Sequence, residues 1–143
     1  MRTLLQLVLV LPLAAGAEVI DRLAITAGNQ AITASELELQ LRMTAFLNGE
    51  PLDLGGAAKR RAAGRLVKQA LIRREMDLSR YPRPELFEAQ PLLEELRKDP
   101  RFAAEGSWQA QLDKYGITEE ELLGHLLLQL TTLRFIEYRF RAG

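Results

Sequence analysis

The chain of 143 residues contains no cysteine and only one histidine, His125. Without thiols it can form neither a disulfide nor a cysteine-ligated metal centre. A single imidazole is too few for a zinc or copper site, because such sites combine several nitrogen or sulfur ligands. We therefore predict neither a metal nor a cofactor, and we interpret His125 as a surface residue on the polar side of a helix, beside Glu121.

Serine is also scarce, and the serines do not lie in a catalytic pattern. Ser35, Ser79 and Ser107 all fall outside any G-x-S-x-G motif, and the chain has no glycine-rich phosphate-binding loop. The carboxylates of residues 119–121 are explained by helix capping rather than by acid/base chemistry. These absences argue against an enzyme and against nucleotide-driven work.

The chain has no excess of positive or negative charge, since 19 Lys and Arg residues balance 19 Asp and Glu residues. A nucleic-acid partner is therefore improbable. The charges are nevertheless unevenly placed, because cations dominate residues 59–83 and carboxylates dominate residues 85–121. The simplest interpretation is that these are solvated helix faces that pack beside one another with complementary potentials. A membrane-surface or anionic-partner role for the basic stretch is the alternative.

Long apolar runs are missing except at residues 4–13, which follow Arg2 and precede the small residues Ala15-Gly16-Ala17. This order is typical of a secretory signal peptide. At ~1.5 Å per residue the run covers about half of a ~30 Å bilayer core, which argues against a stable membrane anchor. We predict a cleaved signal peptide at residues 1–17 and a single exported domain at residues 18–143. A buried first element of that domain is the alternative for the apolar run.

The stretch after this leader predicts a hairpin followed by a helix. Residues 19–26 are rich in Val, Ile, Leu and Thr, and Gly28 and Asn29 tolerate positive φ in a turn. The motif TASE, which begins at Thr33, is a capping box, and Gly49 ends the helix. A two-stranded hairpin alone is marginal in water, so it must lie against helices or gain a strand along its open edge.

Further helices follow in the middle of the chain. Residues 57–79 predict one long helix whose polar positions are arginine and lysine. Pro84 is expected to begin the next helix, which Pro91 restarts or kinks. Ser107 is expected to cap a short helix that Gly116 ends.

The last helix, residues 119–140, is the most apolar and is expected to lie at the centre of the core, contacted from two or more sides. A second capping box at Thr118 opens it. Its apolar stripe consists of Leu122, Leu126, Leu130, Leu133, Ile136 and Phe140. Together these patterns predict a mainly α fold, a multi-helix domain with a small N-terminal two-stranded β-hairpin.

Two motifs of this sequence, one near each end of the predicted domain, resemble motifs of a known protein family. The run VIDRLA through NQAITASEL, directly after the leader, closely resembles the start of the N-terminal chaperone domain of SurA-type periplasmic proteins. Trp108, Leu112 and the run YGITEEEL, followed by a long apolar helix, resemble the second half of the same domain. The resemblance covers essentially all of residues 18–143.

The resemblance implies a periplasmic, helical domain that holds unfolded outer-membrane or other exported polypeptides by apolar contact, without nucleotide. In the family this domain is followed by parvulin-like isomerase domains and by a segment that returns to complete it. The present sequence holds no parvulin-like domain, so isomerase activity is not expected. Without the returning segment the domain can close on itself, exchange a strand or helix with a second copy, or leave a groove for clients.

Methionine and aromatic side chains adapt to many partners and are therefore the candidates for client contact. The proposed peptide-binding residues are Met43, Phe46, Leu47, Phe87 and Leu92. A core position is the alternative for each of them, and we assign Trp108 to the core outright. Two functions compete, a holdase for exported chains and an assembly module that dimerises or docks on one dedicated partner, with the remnant of a prolyl isomerase third.

Overall fold

The computed structural model describes residues 23–27, 30–103 and 107–141, and it confirms the predicted mainly helical fold with a two-stranded hairpin. The predicted signal peptide, the start of the first strand and the turn at Gly28 and Asn29 lie outside these residues. The elements are β1 (Leu23–Ala27), β2 (Gln30–Thr33), α1 (Ala34–Asn48), α2 (Gly56–Leu78), a 3-10 turn (Leu86–Ala89), α3 (Gln90–Arg97), α4 (Pro100–Ala103), α5 (Trp108–Tyr115) and α6 (Glu119–Phe140).

The hairpin is antiparallel and rests on the first two helices. Thr26 pairs with Ala31 and Ile25 with Ile32, and the register shifts between Leu23 and Ile25. Both strands contact α1 and α2, and Ile32 is buried. The helices therefore supply the support that an isolated hairpin lacks.

Both predicted capping boxes are confirmed. The Thr33 amide donates to Glu36 Oε2 at 2.8 Å, and the Glu36 amide donates to Thr33 Oγ1 at 3.2 Å. Thr118 and Glu121 repeat the arrangement at 2.7 and 3.1 Å at the start of α6. Each box satisfies two amides that a helix start leaves without intrahelical partners.

The predicted helix start at Pro84 is wrong, because the chain stays extended through Glu85 and then forms a 3-10 turn. A capping box sets the start at Leu86, since the Glu85 amide donates to Glu88 Oε1 at 3.0 Å. The turn is 3-10 because Pro91 has no amide hydrogen to donate to the carbonyl of Phe87. That carbonyl instead accepts from the Gln90 amide, three residues along the chain. The α-helical pattern therefore begins only at Gln90.

The main core lies between α1 and the helices of the C-terminal half. Phe46 stacks on Phe102 with ring centroids 4.7 Å apart, and it meets Trp108 and Tyr115 edge-on at 5.9 and 5.8 Å. A smaller cluster, formed by Leu41 with two alanines of α2, lies on the opposite side of α1. Helix α1 is thus contacted from both sides.

Helix α6 was expected to lie at the centre of the core, and along its apolar stripe it does so only in its first half. Leu122, Leu123 and Leu126 are buried in the main cluster. In the second half the buried residues are Thr131 and Phe135, which lie on another face of the helix. The stripe itself emerges into solvent there, with Leu133, Ile136 and Phe140 exposed by 56%, 40% and 78%.

Candidate functional site

An open groove runs along α6 beside residues 79–85, the stiff segment that joins α2 to the 3-10 turn. We call this segment the linker. Its first part has a volume of about 570 Å³ and lies between β2, the C-terminal half of α2 and α6. Its apolar lining comes from Met76, Tyr81, Pro82, Pro84, Leu127 and Leu128.

A second cavity of about 470 Å³ continues along the same helix and shares the lining residues Tyr81 to Pro84 and Thr131 with the first. On α6 the lining residues of the two cavities are Gly124, Leu127, Leu128, Thr131, Arg134 and Tyr138. This spacing of three or four residues places them on one helix face. We call the two cavities together the linker groove.

The groove is open because the α6 face beneath it carries small side chains. Gly124 has no side chain, and a Cβ atom built there would meet no heavy atom within 4 Å. Thr131 is short, and its hydroxyl donates to the Leu127 carbonyl at 2.7 Å within the helix. Larger residues at these two positions would fill the space between α6 and the linker.

The linker is held in place by a backbone reversal and by aromatic contacts. Arg80 has φ +51°, a left-handed conformation that turns the chain after α2, and the Tyr81 amide then donates to the Met76 carbonyl at 2.9 Å. The Tyr81 ring packs on Phe135 and Tyr138 with centroid distances of 5.2 and 5.6 Å. The apolar wall of the groove is therefore anchored to α6 on one side.

The rim carries charges of both signs. Arg83 pairs with Asp77 at 2.6 Å, and Arg134 pairs with Glu88 at 2.6 Å. The hydrogen bond from Arg134, with a further one from the Glu85 amide, lowers the pKa of Glu88 below its ordinary value.

Arg73, Arg80 and Glu36 line the groove as well, so its rim carries four arginines and three carboxylates around the apolar floor. A rim with charges of both signs excludes neither acidic nor basic ligands.

Of the five predicted peptide-binding residues, two are buried and a third is half-buried. Met43 and Phe46 are buried in the main core, and Leu47 is half-buried against it. The choice of Met43 and Phe46 is therefore corrected, because these side chains fill the space between α1 and α5. Phe87 and Leu92 are exposed by 66% and 39%, but neither lines the linker groove.

The residues that do line the groove were not predicted as a site. In the sequence, Tyr81-Pro82-Arg83-Pro84 is typical of a stiff break between helices, and Leu127 and Leu128 are typical of a broad apolar helix; neither pattern by itself marks a site. Helical periodicity tells which residues share a face, whereas it does not tell which face remains without a neighbour. The proline break was the one local signal that an exposed, rigid wall lies here.

His125 is half-buried rather than on an open surface, which corrects the prediction. Its Nε2 atom lies 2.9 Å from the Nε2 of Gln129, one turn along α6. Since the amide nitrogen can only donate, this ring nitrogen accepts and the contact suits a neutral imidazole. Burial also lowers the pKa of His125 below its ordinary value of 6.5.

We expect NMR titration of His125 to give a pKa below 6.5 in the folded chain and a higher one in urea, because burial disfavours the charged ring. As the pH falls, the unfolded chain takes up the proton first. The stability contributed by neutral His125 is therefore complete above pH 6.5 and is lost as the pH falls through the folded pKa. A single histidine makes the assignment of the resonance unambiguous. If the pKa of His125 in the folded chain is equal to or above its pKa in urea, burial does not hold the imidazole neutral and this interpretation is wrong.

Glu119, the first residue of α6, takes no part in the capping box and instead joins helices. It accepts a hydrogen bond from Trp108 Nε1 at 2.9 Å and forms an ion pair with Arg97, whose guanidinium lies over the indole ring. The bonds from Arg97 and then Trp108 lower the pKa of Glu119 below its ordinary value. These contacts connect α3, α5 and α6 and assign Glu119 a structural role.

Within residues 23–27, 30–103 and 107–141, no group of three or more His, Asp or Glu side chains could hold a metal ion. The helices in this part of the chain are also too short or too polar to cross a bilayer. Comparisons of the whole sequence with protein-family models, with curated proteins and with solved structures give no significant match.

Proposed function

We propose that the chain from Glu18 is an ATP-independent, chaperone-like module of the periplasm that holds unfolded exported or outer-membrane polypeptides in the linker groove. The observation that carries the proposal is the open groove itself, with its apolar floor and mixed-charge rim. The resemblance of the two sequence motifs to SurA-type chaperone domains supports the same function.

The shape and chemistry of the linker groove suit an extended client chain. Met76 and the leucines of α6 offer adaptable apolar contacts, and the rigid Tyr81 ring contributes area at little cost in conformational entropy. A rim that carries charges of both signs excludes few client sequences. A module of this kind binds many unfolded chains weakly and requires no nucleotide.

Filling the groove tests this function. Replacing Gly124 by phenylalanine places a ring on the open α6 face without a clash at Cβ. We expect the wild-type chain to suppress light scattering when a urea-unfolded outer-membrane β-barrel protein is diluted at near-stoichiometric amounts without ATP. The Gly124→Phe variant is expected to lose most of this protection.

Gly124→Ala is the matched control, because a single methyl group leaves most of the groove open. Alanine should also raise the helix stability by about 1 kcal/mol relative to glycine. Loss of protection in Gly124→Phe but not in Gly124→Ala assigns the activity to the groove. Full protection by Gly124→Phe, or none by the wild type, contradicts the proposal.

A second function, assembly through a dimer, is favoured by the uncovered half of the α6 stripe. Leu133, Ile136 and Phe140 continue the face that buries Leu122 and Leu126 in the core, but no other described element covers them. A continuous apolar strip of this kind is a frequent interface between copies.

Sedimentation velocity at rising protein concentration distinguishes the two functions. A dimer through this strip predicts a mass that increases with concentration and that Leu133→Ser combined with Phe140→Ser returns to the monomer value. A monomer at every concentration excludes the dimer and leaves the groove function unaffected, since neither residue lines the linker groove.

A further inference from the structure

The basic stretch of α2 lacks the partners that its charge pattern predicted. Residues 59–74 contain seven Lys and Arg residues and no Asp or Glu. The acidic stretch pairs instead with other cations, as in the contacts Glu88–Arg134, Glu94–Arg97 and Asp99–Arg101. The two stretches were interpreted as solvated helix faces that pack beside one another with complementary potentials, but among the described residues no ion pair joins them. Within the part of the chain that the structure describes, none of the seven cations forms an ion pair.

The exposed side of α2 combines some of these cations with leucines and with one carboxylate, Glu75, which is paired with Arg139 of α6 at 3.3 Å. One side of the helix carries Arg60, Leu71, Arg74 and Leu78, whose successive spacings of 11, 3 and 4 residues match the helical repeat. Lys68 flanks them. All five are exposed, with Leu71 and Leu78 at 53% and 70%. We call these five residues the α2 outer face. The opposite side, from Ala58 to Met76, is buried.

The shape of the α2 outer face limits what can cover it. None of its five residues lines the linker groove or the small cavity of about 180 Å³ between α1 and α2. The face is the convex side of a single helix. Such a surface suits a flat partner, whereas an inserted peptide segment would need a groove. A second copy is disfavoured, because two such faces would bring like charges together.

We propose that the α2 outer face docks on an anionic phospholipid surface. Arginine guanidinium groups match phosphate geometry with two parallel hydrogen bonds, and unpaired cations lose no internal ion pair on binding. Leu71 and Leu78 enter the boundary between headgroups and acyl chains while the cations stay at the phosphates. This surface is separate from the linker groove, so the chain can hold a client and lie on a membrane at the same time.

Vesicle flotation tests the docking with the chain from Glu18 to Gly143, which keeps every described residue and omits the apolar leader. We expect binding to vesicles of 70% phosphatidylcholine and 30% phosphatidylglycerol, loss of binding at high salt, and none to pure phosphatidylcholine. The triple variant Arg60→Gln, Lys68→Gln, Arg74→Gln should bind on the order of tenfold to 100-fold more weakly. The variant Lys98→Gln, Lys114→Gln, Arg141→Gln carries the same net charge and should bind like the wild type.

The absence of cysteine allows a site-specific second measurement that does not depend on charge variants. An environment-sensitive fluorophore attached through Leu71→Cys or Leu78→Cys should become brighter and shift to the blue on anionic vesicles. The same label at Leu54, which is exposed in the loop before α2, should not change.

Four results would overturn the lipid assignment. They are absence of wild-type binding to anionic vesicles, equal losses in the two triple variants, equal binding to pure phosphatidylcholine, and an unchanged fluorophore at both α2 positions. Binding of polyglutamate without binding of vesicles would assign the face to an acidic polypeptide instead. A failure of the client-holding assay leaves each of these measurements valid, because no residue of the α2 outer face lines the groove.

Discussion

Replacing Phe46 by alanine is expected to lower the free energy of unfolding by about 3–5 kcal/mol, which is a large part of the stability of a domain of this size. The side chain is 0% exposed and contacts three other aromatic rings. Truncation removes the buried apolar area, leaves a cavity between α1 and α5, and deletes the stacked contact with Phe102.

Urea unfolding followed by circular dichroism measures the effect, with Phe87→Ala as the matched control. Phe87 is the same residue type but mostly exposed on the 3-10 turn, so its truncation should change the unfolding free energy by about 0.5 kcal/mol or less. Both residues belong to the set predicted for client contact. Similar stability changes in the two variants would contradict the assignment of Phe46 to the core.

Replacing Leu122 by alanine is expected to cost about 2–5 kcal/mol for a related reason. Leu122 is fully buried among side chains of the main core. Alanine is the better helix former, so the loss reports packing and not helix propensity.

Leu133→Ala is an exacting control, since Leu133 lies eleven residues later on the same face of the same helix. It is 56% exposed, and its truncation should cost less than about 1 kcal/mol. Urea or thermal unfolding of both variants at low protein concentration tests the difference. If Leu133→Ala is as costly as Leu122→Ala, the second half of α6 is covered, either within the chain or by a second copy. Repeating the measurement at higher concentration separates these two cases.

Local sequence signals predicted helix ends well. The capping boxes at Thr33 and Thr118 and the left-handed glycines Gly49 and Gly116 lie where they were expected. Such features depend on residues within one turn of each other, so the sequence contains all the information they need. The start predicted at Pro84 was wrong because Glu85 and Glu88 form a capping box, which places the first helical residue at Leu86, and the amide missing at Pro91 gives this turn its 3-10 geometry.

The candidate site was less accessible to sequence reasoning. Met43 and Phe46 have the composition of an adaptable binding surface, but neighbours far along the chain bury them. The linker groove instead depends on a gap, where Gly124 and Thr131 leave space opposite Tyr81. The width of a gap depends on the distance between two elements, here α6 and the segment that contains Tyr81. The residue periodicity of one element does not specify that distance.

By itself the sequence determined the fold class, the order of the elements, most helix ends and the balance of charge. Only the tertiary structure decided which half of the α6 stripe is core, which cations of α2 stay without partners, and where an open groove remains. The physical reason is the separation along the chain between the interacting residues. Capping and helical periodicity involve residues a few positions apart, whereas burial depends on which elements meet in space. Leu122 and Leu133 are the plainest case, because one face of one helix holds a buried residue and an exposed one of the same type.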